Sequence, residues 1–183
     1  AMTSRLITCL PALVGAWGKR GGGILTSAAA SKAYDKDIVT RPDWKQKGTR
    51  LVNMCCIGQA LTEDDRIKSL FVYSSNPACT APDQNAVLKG LSREDLFTVV
   101  HERFMTDTAR YADIVLPATT SLEHDDAYYS YGNYTIQCGY ALIDPIGESR
   151  SNWRVACDLA KALGITDPFY DQSERDLVDK LVD

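Results

Sequence analysis

The chain has 183 residues, 45% of them apolar, and a formal net charge of −4. This length supports one well-packed core and is short for two, and the interspersed charges leave no basic stripe for nucleic acid and no polybasic patch for a membrane. No apolar run approaches the roughly 20 residues that span a bilayer, and no secretory signal pattern opens the chain, so a single α/β domain in a cytoplasmic setting is expected, with export of a longer parent protein as the open alternative.

Residues 1–18 place Leu6, Ile7, Leu10, Leu13, Val14 and Trp17 at spacings near three and four, which predicts an amphipathic helix that Pro11 kinks or delays. Gly18-Lys-Arg-Gly-Gly-Gly23 has the glycines of a phosphate loop but neither the Lys-Ser/Thr ending nor a preceding strand. It reads as a helix stop and a turn. Residues 27–50 carry little periodicity and predict irregular surface structure with one short Ala-rich helix. A span of this kind in a compact domain usually contacts something or serves a function. Leu51 to Leu61 resumes a helical period, which Thr62-Glu-Asp-Asp ends.

Leu70 to Tyr73 predicts a strand followed by the small, turn-forming Ser74-Ser-Asn-Pro77. Asp83 is placed to cap a helix running to Leu91. A second strand is predicted from Phe97, ending at His101 and Glu102, and a third over Ile114 to Leu116, stopped by Pro117. Strand, helix, strand in this order is a βαβ unit with a right-handed crossover. In open parallel sheets ligands lie beyond the carboxyl ends of the strands, which directs attention to Asn76, to His101 and Glu102, and to residues 118–124.

The tyrosines at 128, 129, 131, 134 and 140 predict a packed loop or hairpin, with base stacking as the less common use of such rings. Asp144-Pro-Ile-Gly147 reads as a turn. Ser151 is placed to cap a helix from Asn152 to Leu163 whose apolar face is Trp153, Ala156, Leu159, Ala160 and Leu163, stopped by Gly164, and a last helix spans Ser173 to Leu181.

The six cysteines show no CxxC pair and no zinc-finger spacing, so they read as reduced thiols, with Cys55 and Cys56 behaving as small buried hydrophobes. The two histidines, His101 and His124, are far apart in sequence, and no metal site is expected in the chain.

Taken together, SSNPACTAPDQN, LFTVVHERFMTDTARYADIVLPATTSLEHDD and PIGESRSNW, in this order and spacing, resemble the molybdopterin oxidoreductases of the dimethyl sulfoxide reductase and formate dehydrogenase superfamily. The opening LVGAWGKRGGGIL is similar to that family's helix-plus-glycine segment. The resemblance implies a Rossmann-like, mostly parallel sheet flanked by helices. It also implies that residues 1–183 are a fragment, one domain of a larger enzyme. That domain would be the second of two that each grip a molybdopterin guanine dinucleotide around molybdenum or tungsten.

Carried over by position, the resemblance makes Asn76, His101, Glu102, His124 and Asn152 cofactor-binding residues. Many relatives have Asp at the position of Glu102, some have Lys at that of His124, and many have Asp at that of Asn152. No residue of this chain would be catalytic. The metal ligand and an iron–sulfur cluster, 4Fe-4S in type, would belong to the parent enzyme, whose remaining domains are the expected partners of this chain, and the fragment alone would be inactive. Two other readings stay open: a degenerate, non-catalytic scaffold domain of a redox complex, and a free-standing mononucleotide-binding module.

Overall fold

The computed structural model describes residues 2–24, 35, 37–129 and 135–182. Two compact units are distinguished, one formed by Ala1–Asp35 with Tyr128–Gln137 and the other by Lys36–Ala127 with Cys138–Asp183.

In the first unit, helix α1 (Met2–Leu13) holds Pro11 in its last turn and ends two residues later, so the helix is shorter than its apolar spacing suggested. A 3-10 turn, Ala16–Gly18, leads into the glycine segment. Gly21 and Gly23 take φ of 78° and 100°, and a Cβ on Gly22 would lie 2.0 Å from the Ala16 carbonyl oxygen. These glycines are required by a tight turn, the plainer of the two sequence readings. The short Ala-rich helix expected after Ser27 lies outside the described residues.

The second unit carries the α/β layers. Residues 37–44 form a short helix, α2 (Asp37–Thr40), and a 3-10 turn, Pro42–Trp44. Part of the irregular span is thus anchored within its own unit: Trp44 meets Phe169 edge-on with centroids 5.2 Å apart, and the Arg41 guanidinium lies 3.9 Å over the Trp44 ring. The helix expected from Leu51 begins only at Ile57, as α3 (Ile57–Glu63), after a 3-10 turn over Met54–Cys56. The Asn53 side chain accepts from the Cys55 N–H at 3.0 Å and sets that turn instead of the first turn of a helix. Cys55 and Cys56 are in consequence exposed, contrary to expectation.

Then follow β1 (Ser69–Tyr73), α4 (Pro77–Thr80), α5 (Gln84–Leu91), β2 (Phe97–Glu102) and β3 (Ile114–Pro117). The three strands form one parallel sheet in the order β1-β2-β3, with Ser69 opposite Phe97 and Val99 opposite Ile114. Side chains alternate across a strand, so Leu70, Val72, Thr98 and Val100 share one face. On that face lie Leu61, Ala78, Val87, Leu91 and Leu96, the main core cluster, beside Val72, Val100 and Ala109.

Further along, β4 (Asp126–Tyr128) and β5 (Gln137–Gly139) pair as a two-stranded sheet within the tyrosine-rich stretch, where a packed loop or hairpin was expected. Helix α6 (Asn152–Ala162) and helix α7 (Glu174–Val182) complete the chain. Helix α6 buries Val155, Cys157 and Ala160, while Leu159 and Leu163 are exposed. The buried stripe is therefore rotated from the one its large apolar residues suggested. Among the described residues no helix is long and apolar enough to cross a membrane.

Candidate functional site

The three parallel strands end side by side, and each releases a polar turn at its carboxyl end. After β1 the chain reverses at Ser74, whose φ is 50°, a left-handed conformation that costs a non-glycine residue roughly 1 kcal/mol. Asn76 then opens α4. Its Oδ1 accepts from the Thr108 N–H at 3.1 Å and from the Thr108 hydroxyl at 2.7 Å, while that hydroxyl accepts from the Ala78 N–H at 3.0 Å. Asn76 thus ties the turn after β1 to the connection between β2 and β3, leaving its amide NH2 uncommitted among the described hydrogen bonds.

At the end of β2, His101 is 1% exposed, and its Nε2–H donates to the Arg150 carbonyl at 3.0 Å. Glu102 is its partly covered neighbour, with a side chain 13% exposed. One of its oxygens accepts from the Arg103 N–H at 2.7 Å. Arg150 lies against the end of β3 as a parallel bridge partner of Ala118, donating its N–H to Pro117 and accepting from the Thr119 N–H. This arrangement delivers Ser151 and Asn152 to the strand ends. The Ser151 hydroxyl oxygen caps α6 by accepting from the Arg154 N–H at 3.1 Å, so Asn152 is freed from capping and donates to Ser74 Oγ at 3.2 Å.

His124 follows β3. Its Nδ1 and the Thr119 hydroxyl are 2.9 Å apart, and its Nε2 lies 3.8 Å from Asp126. His101, His124 and Asn152 all line one cavity of about 580 Å³, whose polar end they share with Ser151 and Glu174. That volume falls within the range of small-molecule sites, about 300–1,000 Å³. All five residues singled out in the sequence therefore gather around the carboxyl end of one sheet, His101 beneath the surface and the others at or near it.

Two carboxylates given no role from the sequence organise the same region, Glu123 within the segment 118–124 and Glu174 outside every segment singled out. Glu123 is buried and accepts from the Thr120 N–H at 2.5 Å and the Ile146 N–H at 2.7 Å. These backbone donors, Thr120 foremost, hold its pKa below the usual carboxylate value. The Thr-x-x-Glu spacing of a capping box was a signal that could have found it. Glu174 reaches across from α7, accepting from the Ser151 hydroxyl and, at 3.3 Å, from the Asp125 N–H. Burial pushes its pKa up. Nothing local in the sequence marks it, because its partners lie 23 and 49 positions away. Tyr140 of the tyrosine-rich stretch takes the Arg175 guanidinium over its ring at 3.8 Å. Among the described residues no group of three or more His, Cys, Asp and Glu side chains is placed to hold a metal ion.

Comparison with known proteins agrees with this architecture. The chain is 45% identical over its whole length to the probable oxidoreductase YoaE of Bacillus subtilis and spans 27% of that protein. It is 37% identical over 64% of its length to the assimilatory nitrate reductase catalytic subunit of the same organism, spanning 16% of it. Among solved structures, acetylene hydratase from Pelobacter acetylenicus superposes with a TM-score of 0.61 at 25% identity, over 72% of this chain and 18% of that one. The family profile of the molybdopterin oxidoreductases matches residues 5–162. With most of its length inside that profile, the chain belongs to the molybdopterin oxidoreductase family.

Proposed function

We propose that this chain is a cofactor-binding part of a larger molybdenum- or tungsten-dependent oxidoreductase, and that it positions one molybdopterin guanine dinucleotide. The observation that carries the reading is the convergence of uncommitted polar groups from different elements on one rim at the carboxyl end of a parallel sheet. The rim fits such a group chemically. The Asn76 amide and the Asn152 side chain offer donors beside Ser74, and the remaining Glu102 oxygen can accept from ribose hydroxyls or a guanine edge. His101 and His124 support the rim, one through Arg150 and the other through Thr119.

When bound, the cofactor supplies dithiolene ligands to the metal and so the two-electron chemistry. The residues of this chain bind and orient; none moves protons or electrons. The metal ligand and any iron–sulfur cluster belong to the rest of the parent protein, so the fragment alone is inactive.

The test is to express the full-length protein anaerobically in a cofactor-competent host and assay metal and released guanine dinucleotide. Near-stoichiometric metal with about two dinucleotides per chain is expected. Glu102→Ala should lower dinucleotide content in a protein that still folds, and Glu102→Asp should retain it. A folded full-length protein lacking both metal and dinucleotide would favour a non-catalytic scaffold domain instead.

A further inference from the structure

Away from the strand ends, a second cavity of about 530 Å³ opens along α3 and the segment that enters it, with Arg50, Cys56, Gln59, Glu63, Asp64 and Arg66 in its lining. Asp64 accepts from Arg66 through both carboxylate oxygens, at 2.8 and 2.9 Å, and also from Arg50. Gln59 donates to Glu63 at 2.8 Å. One carboxylate thus serves two guanidiniums, and each guanidinium keeps further N–H donors. Arg66 Nη1 and Arg50 Nε and Nη2 have no acceptor among the described hydrogen bonds.

Cys56 brings a nucleophile to this cavity. It is exposed, as is Cys55 beside it, but of the two only Cys56 lines the cavity. Asn53 fixes their turn at two points: its side chain accepts from the Cys55 N–H, and its carbonyl accepts from the Cys56 N–H at 2.8 Å. The two thiols are poorly placed to pair with each other. The peptide between them is trans, which sets their Cα atoms about 3.8 Å apart, below the roughly 4.4 Å at which ordinary disulfides begin. A sulfur taken up by Cys56 is therefore retained there instead of being displaced by Cys55.

We propose that Cys56 is a site of reversible modification by an anionic low-molecular-weight disulfide, held as a mixed disulfide in the Arg50–Arg66 cavity. Cys56 gives its proton to solvent, and the thiolate attacks one sulfur of the small disulfide. A new S–S bond forms on Cys56 as the bond within the small disulfide breaks, and the departing sulfur leaves with the electron pair as a thiolate. The small disulfide is the oxidant, and the step needs no other. Carboxylates on the retained half accept from the free N–H groups of Arg50 and Arg66, a pairing that guanidinium geometry favours. Cys55, outside the cavity, gains nothing from them. The same exchange with a small thiol reverses the step. The inference does not depend on which cofactor the strand ends hold.

The test exposes the full-length protein, reduced and freed of reductant anaerobically, to oxidised glutathione or to the neutral disulfide of mercaptoethanol. Free thiols are then alkylated and the adducts mapped by peptide mass spectrometry. Oxidised glutathione should modify Cys56 several-fold faster than Cys55, and a small dithiol should restore the thiol. The neutral disulfide should show no such preference. Raising the ionic strength should shrink the preference in the unmutated protein. Arg50→Gln together with Arg66→Gln should erase it while leaving the rate with the neutral disulfide unchanged, a sign that the turn is intact. Equal modification of Cys55 and Cys56 by oxidised glutathione would overturn the proposal, as would a preference that neither salt nor the substitutions reduce. Absence of any reaction at Cys56, or accumulation of a Cys55–Cys56 disulfide, would also overturn it.

Discussion

Thr108 is fully buried, and both its amide and its hydroxyl protons end on Asn76 Oδ1. Asn76→Ala would strand those donors in an apolar surrounding, so a loss of about 1–3 kcal/mol is expected in urea denaturation. Asn76→Asp keeps the acceptor and should lose less, which separates the scaffold part of this residue from any contact its NH2 makes with a ligand. The Asn-Pro turn itself was legible, because small and turn-forming residues after an apolar strand have few other readings. That its side-chain oxygen faces inward was not, since Thr108 lies 32 positions away. His101 shows the same division. Its place at the end of a strand followed from the apolar run before it, whereas its burial against Arg150 depends on a segment 49 residues later.

At the scale of elements, the caps of α5 and α6 were read well from sequence, whereas the end of α1 and the start of α3 were not. Asp83 accepts from the Ala86 N–H and Ser151 from the Arg154 N–H, as short polar side chains before a helix generally do. Packing faces were read less well. Helices α3 and α5 approach closely through glycine: a Cβ on Gly90 would lie 2.4 Å from Leu61 Cβ, and one on Gly58 2.9 Å from Ala86 Cβ. Replacing a helical glycine with alanine ordinarily gains about 1 kcal/mol of helix propensity. Overpacking here costs about 1–3 kcal/mol, so Gly90→Ala should lower the melting temperature instead of raising it. Helix propensity is a property of one segment, and this contact belongs to two. The misread face of α6 has the same origin, because a helix with small residues on several sides can bury whichever side its neighbour meets.

At the scale of the molecule, the carboxylates set the acid response. Hydrogen bonds from Thr120 to Glu123, and from Arg175 to Asp125, lower both pKa values below their ordinary 4.5 and 3.8. The unfolded chain therefore binds more protons than the folded one just below those values. The stability they contribute is present above the ordinary values and lost as pH falls through the folded ones. Glu174 acts oppositely: burial raises its pKa, so the folded state holds a proton the unfolded state releases, and stability declines as pH rises past the ordinary 4.5. Thermal melts between about pH 6 and about pH 3 should show a falling midpoint that Glu123→Gln makes shallower. Glu174→Gln should remove the decline that sets in as pH rises above 4.5. The sequence by itself determined the strand–helix–strand order, the caps and the polar turns at strand ends, because each depends on neighbours within a few positions. The family resemblance rests on the same short words. Only the tertiary structure decided that α7 locks the site through Glu174, that His101 lies beneath the rim and that Cys56 shares a cavity with Arg50 and Arg66. Those features depend on which distant segments meet, and no local pattern of residues encodes that.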